Sequence, residues 1–359
     1  MTTFHHVMVR AKPDDAITNM ALQTRDELRR LGPSEVYARH VETDSDLHVL
    51  AFQELPPGQP SDVVIYHSSV GDPAMTKELL ARPGQVVLVY HGTARSDRFA
   101  KFDGSFATEL AAGHDEIRLL SHRVDIAIAV SKSSADDLRQ LGYARVHTAV
   151  DGVHPDRLTG LPTDVETALK LDEAVGVPFV LAVSALLPRN CQHVLLQALH
   201  VLQSVHRREL GLVLVGSSPD VPYAQALHRL PRDLRIEHVW FAGRACDSSL
   251  ATIYRRARLF SSASDEGLLE LHPLEAMTFG VPTIIRKTNA TAESAGGGAL
   301  MLPRSAGPLM FAEALLLADQ DDELRSSLIE AGFDRARTFS TARRTQSPAD
   351  VIEANRSLS

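Results

Sequence analysis

Two carboxylates frame the stretch "RLFSSASDEGLLELHPLEAMTFGVPTII", residues 258–285. Glu266 stands just past a hydrophobic strand, and Glu275 lies in the first turn of the helix that follows. Pro273 suits the first helical position and Gly280 suits the stop. The first backbone N–H groups of such a helix have no intrahelical partner, so they favour an anion such as a diphosphate. A carboxylate beside them suits hydroxyls, which it accepts as charge-assisted hydrogen bonds. The chemistry on offer is therefore backbone amides for phosphate and glutamates for sugar hydroxyls. A plainer reading stands beside it. With His272 as N-cap, Glu275 takes the third helical position, where a glutamate caps backbone and complements the helix dipole.

Histidines mark a second region. "SDVVIYHSS" and "GQVVLVYHG" are apolar strands that each end in a histidine, His67 and His91. Strand ends host function more often than strand interiors, so the pair is expected to line one rim. "HGTARSDRF" adds Arg95 and Arg98, as acceptor ligands or as a solvated turn. In "KPDDAITN", Asp15 is read as a cap of the first helix or a contact to acceptor hydroxyls, with Asn19 one turn further on. His5 and His6 lack metal-ligand spacing and read as scattered surface or strand residues.

These residues need a frame. Short apolar runs alternate with amphipathic helical patterns along the 359 residues, which predicts parallel sheets covered by helices. The series restarts after "PDRLTGLPTDVETALKLDEAVG", near residues 155–176, so the expected fold is α/β with two doubly wound, Rossmann-like domains facing a cleft. The domains are placed at 1–158 and 159–340, with 341–359 a terminal helix. Ligands of such sheets sit beyond the carboxyl ends of the strands. No G-x-G-x-x-G follows the first strand, which disfavours a nicotinamide dinucleotide.

Composition narrows the classes. A net charge of −8 and only 5% aromatic residues argue against nucleic acid. The same charge gives no support for docking on an anionic membrane. Cys191 and Cys246 have no metal or disulfide pattern. The N-terminus lacks the apolar core of a signal peptide, and no apolar run is long enough to span a bilayer, so the expectation is cytoplasmic.

The stretch "SDEGLLELHPLEAMTFGVPTI" resembles the donor-binding signature of retaining glycosyltransferases of the GT-B fold, the family-four group. "VSALLPRN", "LVLVGSS", "VWFAGRACDSSLATIYRRARLF", "NATAESAGGGALMLP" and "RARTFS" follow in that family's order and spacing. The first half, with "DAITNMALQTRDELRRLG", "VVLVYHG" and "DGVHPDRL", resembles divergent members. The resemblance implies a nucleotide-sugar donor on the second domain, a hydroxyl acceptor on the first, and transfer of a hexose with retention of configuration. The acceptor would be a growing polysaccharide, a lipid-linked glycan or a small metabolite. Glu275 would take ribose hydroxyls and Glu266 those of the donor sugar. Gly267 and Leu268 would offer backbone amides, and Arg244 would lie near the base. Ser184, Asn190 and Gly216 complete the donor-binding set. His91 would contact the donor sugar near the reaction centre, and the last helix would cross back over the first domain. The leaving phosphate oxygen would take the acceptor's proton, so neither a protein base nor a metal cofactor is expected.

Two departures bear on activity. Glu266 and Glu275 are one residue further apart than the family's pair, which makes Glu270 an alternative sugar ligand. At the positions where many members carry an arginine and a lysine on the diphosphate stand Ala185 and Asn190; the adjacent Arg189 is read as the donor ligand that supplies the missing charge if the loop moves by one residue, or as an ordinary solvated arginine after a proline. A non-catalytic partner or scaffold of the same fold is thus a competing reading. A nucleotide-sugar epimerase or hydrolase is a third, hinted at only by Glu270 or Asp265.

Overall fold

The computed structural model describes residues 2–13, 16–42, 47–92, 94–149, 155–218, 222–266, 271–342 and 347–356. The chain divides into two compact units. One comprises residues 1–100, 104–152 and 343–359, the other residues 101–103 and 153–342.

In the first unit the chain runs β1 (Phe4–Ala11), α1 (Ala16–Leu28), β2 (Ser34–Val41), β3 (Leu50–Ala51), β4 (Val63–Ser68), α2 (Pro73–Ala81), β5 (Gln85–Tyr90), α3 (Ser96–Phe99), α4 (Gly104–Leu120), β6 (Ile126–Ala129), α5 (Lys132–Gln140) and β7 (Val146–Thr148). The seven strands form one parallel sheet in the order β3-β2-β1-β4-β5-β6-β7. Runs such as "VVIYHS" are buried on both faces, as parallel strands under two helical layers must be. On one face Val63, Ile65, Val87 and Val89 pack with Phe4 and Leu28. Tyr66, Leu88 and Ala127 pack on the other. Local caps fix the helix starts. Asp72 accepts from the Met75 N–H, and Ser131 accepts from that of Ser134. The packing of α4 uses a small residue: a Cβ on Gly113 would lie 2.9 Å from the backbone nitrogen of Gly71.

The second unit continues with α6 (Val165–Ala174), β8 (Phe179–Val183), α7 (Gln192–Ser204), β9 (Gly211–Val215), α8 (Pro222–Leu234), β10 (Val239–Gly243), α9 (Asp247–Arg256), β11 (Leu259–Ser262), α10 (His272–Thr278), β12 (Thr283–Arg286), α11 (Asn289–Ala295), β13 (Leu300–Leu302), α12 (Pro308–Gln320) and α13 (Asp322–Ala342). Its six strands are parallel in the order β10-β9-β8-β11-β12-β13. The division falls at 152/153 rather than 158/159. Leu158 is buried in this unit's core, and the Thr278 hydroxyl donates to the Pro155 carbonyl. The last helix, α14 (Pro348–Arg356), returns to the first unit. Ala349, Val351 and Ile352 are buried against the first sheet, and Arg30 pairs with Glu353 at 2.5 Å.

Each sheet reverses its strand order at one place: between β1 and β4 in the first unit, and between β8 and β11 in the second. Such switch points splay the loops apart and leave room for a ligand at the carboxyl end of the strands.

Candidate functional site

The switch point of the second unit gathers most of the donor-side residues. Ser184 follows β8, and its hydroxyl accepts from the Gln192 amide at 2.9 Å. Gly216 ends β9 with φ +145°, and a Cβ there would lie 2.2 Å from the Ser184 carbonyl oxygen. Glycine at 216 therefore lets the β8 and β9 ends approach each other. Asn190 does not turn outward as a clamp. Its amide donates to the Ala185 carbonyl at 2.8 Å, where Gln192 donates too, at 2.7 Å. Arg189 is half-buried, and its carbonyl accepts from the Asp265 N–H at 3.2 Å. Arg244, after β10, is exposed.

Glu266 is buried at 4% exposure beyond the end of β11, next to Asp265 at 5%. Gly267, Leu268 and Glu270 lie outside the described residues.

Glu275 departs from the capping alternative. Leu271, not His272, is the N-cap of α10, and no side chain caps it. The Glu275 carboxylate instead sits in a buried network. Oε1 accepts from the Arg157 guanidinium at 3.2 Å; Oε2 accepts from the Tyr254 hydroxyl at 3.0 Å and meets His272 Nδ1 at 2.9 Å. Arg157 also pairs with Asp247 at 2.7 Å. Burial pushes the carboxyl up, but the hydrogen bond and charge of His272, the Arg157 charge and the Tyr254 hydroxyl win and hold it at about 2. The carboxylate is thus ionised, oriented, and keeps acceptor capacity, since its two oxygens offer about four lone pairs.

The first unit places a different set at its switch point. His67 is not at the rim: it is wholly buried within β4, so it cannot touch an acceptor. Its Nε2 lies 3.1 Å from Nδ1 of His6 on β1, and the rings stack at 5.4 Å. His6 Nε2 in turn meets the Ser34 hydroxyl at 3.2 Å. On the other side the His91 ring lies 5.9 Å from that of His67. His91 follows β5, half-buried, with Nε2 buried and without a hydrogen-bond partner among the described residues. Burial holds all three imidazoles neutral, His6 at about 3, His91 at about 4, and His67 well below the ordinary value. His5 is buried as well, 3.6 Å from Asp62, so neither it nor His6 is a surface residue.

The remaining acceptor-side residues are less committed. Arg95 is exposed and pairs with Asp97 at 2.6 Å, which fits the solvated-turn alternative. Asn19 is exposed on α1, and Asp15 lies outside the described residues. Among the described residues no group of three or more His, Cys, Asp or Glu is arranged to hold a metal ion, and no helix is long and apolar enough to cross a membrane.

Arg157 and Tyr254 are not singled out by the sequence, nor is the pairing of His6 with His67. Arg157 reaches Glu275 across 118 residues and His6 reaches His67 across 61, so no local spacing announces them.

Two parallel, helix-covered sheets with polar residues at each switch point define a GT-B architecture. Residues 177–321 match the sequence profile of the family described as "Glycosyl transferases group 1". Solved structures share the fold over nearly the whole chain. HepE of Anabaena, in complex with UDP-glucose, has 16% identity and TM-score 0.73, covering 98% of this chain and 99% of its own. WaaG, a glycosyltransferase involved in lipopolysaccharide biosynthesis, has 14% identity and TM-score 0.70, covering 98% of each chain. The α,α-trehalose 6-phosphate synthase of Burkholderia multivorans has 14% identity and TM-score 0.70, covering 100% of each. A search of curated protein sequences returns no match.

Proposed function

We propose that this protein is a retaining glycosyltransferase that moves a hexose from a UDP- or GDP-linked donor to a hydroxyl acceptor, without a metal. The observation that carries the reading is Glu275, a buried carboxylate held ionised by Arg157, His272 and Tyr254 within the region that matches group 1 glycosyl transferases. In that role Glu275 accepts the ribose hydroxyls, and Glu266 at the β11 end accepts those of the sugar. The acceptor oxygen attacks the anomeric carbon as the bond from that carbon to the phosphate oxygen breaks. The departing phosphate oxygen takes the acceptor's proton on the same face, so no protein base is needed. His91, neutral by burial, offers a hydrogen bond to a sugar hydroxyl without adding charge. HepE in complex with UDP-glucose supports a nucleotide-sugar donor.

The scaffold reading has one observation in its favour: Asn190 and Gln192 spend their amides on the Ala185 carbonyl rather than on a ligand. Isothermal titration with UDP and GDP, with and without magnesium, separates the two. Binding of one nucleotide without metal, weakened about tenfold or more in Glu275→Gln, is the expected result, since that change discards a charge-assisted bond. Absence of binding to either nucleotide would remove the donor site and favour the scaffold.

A further inference from the structure

Among the described residues three arginines are buried: Arg25, Arg82 and Arg286. Arg25 pairs with Asp26 and Arg82 with Glu78. Arg286, at the carboxyl end of β12, has no carboxylate partner among the described residues. Its Nη1 donates to the Ala263 carbonyl and its Nη2 to that of Ala306 at 2.8 Å, while the guanidinium lies over the Phe311 ring at 5.5 Å. Its Nε is buried without an acceptor among the described residues. Removing a cation from water costs several kcal/mol unless an anion answers it, and two carbonyls with an aromatic face are a partial answer.

Its position gives that charge a use. The strands β8, β11, β12 and β13 are consecutive neighbours in the sheet, and each carboxyl end brings a residue to the short stretch Ala263–Asp265. Arg286 reaches the Ala263 carbonyl from β12. Arg304, exposed after β13, donates to the Asp265 carbonyl at 3.3 Å. Arg189, after β8, accepts from the Asp265 N–H through its own carbonyl, leaving its guanidinium without a carboxylate partner among the described residues. His193, in the first turn of α7, has its pKa lowered by burial and then by the Arg286 charge, with Asp265 opposing. Meanwhile Ala185 offers no side-chain charge, and Asn190 is turned inward.

We propose that Arg286, flanked by Arg304 and Arg189, seats the diphosphate of the donor, so that the cationic charge comes from the ends of β12 and β13 as well as from the β8 loop. This rests on the donor reading above. The guanidinium of Arg286 is held by two backbone carbonyls and presents its remaining N–H groups to phosphate oxygens, while the exposed Arg304 and half-buried Arg189 close in as salt-sensitive partners. The negative charge that grows on the departing phosphate would be met there.

The test is the affinity ratio of nucleoside to nucleoside diphosphate, measured by titrating the full chain with uridine and UDP, or guanosine and GDP. Wild type should bind the diphosphate at least about tenfold more tightly, and the ratio should shrink with salt. Arg286→Gln should collapse the ratio by about tenfold while nucleoside affinity holds; Arg304→Gln and Arg189→Gln should each shrink it a few-fold. An unchanged ratio in variants that melt like wild type would overturn the proposal, as would a wild type that binds nucleoside and diphosphate equally. The donor reading would survive both of those outcomes. If Arg286→Gln does not fold, the exposed Arg304→Gln and half-buried Arg189→Gln decide by the same ratio. If wild type binds no nucleoside or nucleotide, the donor reading falls, and inorganic pyrophosphate becomes the probe. Pyrophosphate binding lost in Arg304→Gln would keep the anion seat; no pyrophosphate binding would end it.

Discussion

The two sheets share a topology and treat charge in opposite ways. At the β1/β4 switch point the buried His6 and His67 rings stack, the half-buried His91 tilts against His67 from the end of β5, and desolvation keeps all three neutral. At the β8/β11 switch point and beside it, charged side chains are kept: Glu275 is ionised by its partners, and the Arg286 guanidinium is buried between two carbonyls. The first arrangement fills the switch point with uncharged rings, of which only His91 is partly exposed. The second suits a ligand that carries charge and hydroxyls together. The fold alone supplies neither property, since strand order is the same kind of thing in both; the side chains at the strand ends supply it.

Acid should break the comparison most strongly. A histidine whose folded pKa is depressed binds its proton more readily in the unfolded chain. Unit-one stability is therefore complete above the unfolded value near 6.5, and it falls with pH down toward the folded values of about 3 for His6 and about 4 for His91. Each imidazole that only the unfolded chain protonates adds a slope of about 1.4 kcal/mol per pH unit. Glu275 works in the other window. Its contribution is complete above about 4.3 and is lost only as the pH falls toward about 2. Between pH 7.5 and 5, hydrogen exchange of β1, β4 and β5 peptides should accelerate markedly. The fluorescence of Trp240, the one tryptophan, on β10, should stay constant. His67→Asn should flatten the dependence. Exchange rates in those peptides that follow only the intrinsic chemistry from pH 7.5 to 5 would mean the imidazoles are hydrated, and the contrast between the units would be gone.

The second prediction concerns stability at neutral pH. Glu275→Ala removes the acceptor of Arg157, His272 and Tyr254 at once. The loss is moderated because Arg157 keeps Asp247, and the Tyr254 hydroxyl has the His272 carbonyl at 3.3 Å. With those substitutes, and with Arg157 partly exposed, the expected cost is about 2 kcal/mol, at the lower end for a broken buried pair. Urea unfolding followed by Trp240 reads it. A midpoint equal to wild type would show that the network adds little, leaving the carboxylate's burial to be explained by ligand binding alone.

What was legible beforehand follows from what is local. Short continuous apolar runs identified the strands, and the restart of the strand–helix series near residue 177 identified two doubly wound units, because each run lies within ten residues of sequence. Glu266 and Glu275 were legible through a strand end and a helix start. Helix α4 was not, since small residues such as Ala107 and Gly113 fill part of its buried face and thin its apolar stripe. The partners of Glu275 were hidden for another reason: Arg157 sits in a polar linker that looks like a boundary. A histidine near the end of an apolar run reads as a rim residue, whereas His6 on the neighbouring strand gives the His67 ring a partner and lets it be buried.

The smallest effect tests whether the second unit favours negative charge away from Glu275 as well. Both cysteines lie in that unit. Cys191 is buried, with its thiol against the Pro188 carbonyl at 3.4 Å, so a thiolate there would face an oxygen. Cys246 is exposed at the N-cap of α9, 3.2 Å from the Ser248 hydroxyl and 3.1 Å from that of Ser249. Those hydroxyls, with the Ser249 backbone N–H, pull its thiol down to about 7. A thiolate is the species that reacts, so alkylation by iodoacetamide should be half-maximal near pH 7, confined to Cys246, and without effect on melting temperature. Ser248→Ala and Ser249→Ala should each move that midpoint upward toward an ordinary thiol near 8.5. A wild-type midpoint already near 8.5 would mean that the hydroxyls point elsewhere in solution. The preference for charge in the second unit would then be confined to Glu275 and the arginines, a property of one site and not of the rim of its sheet.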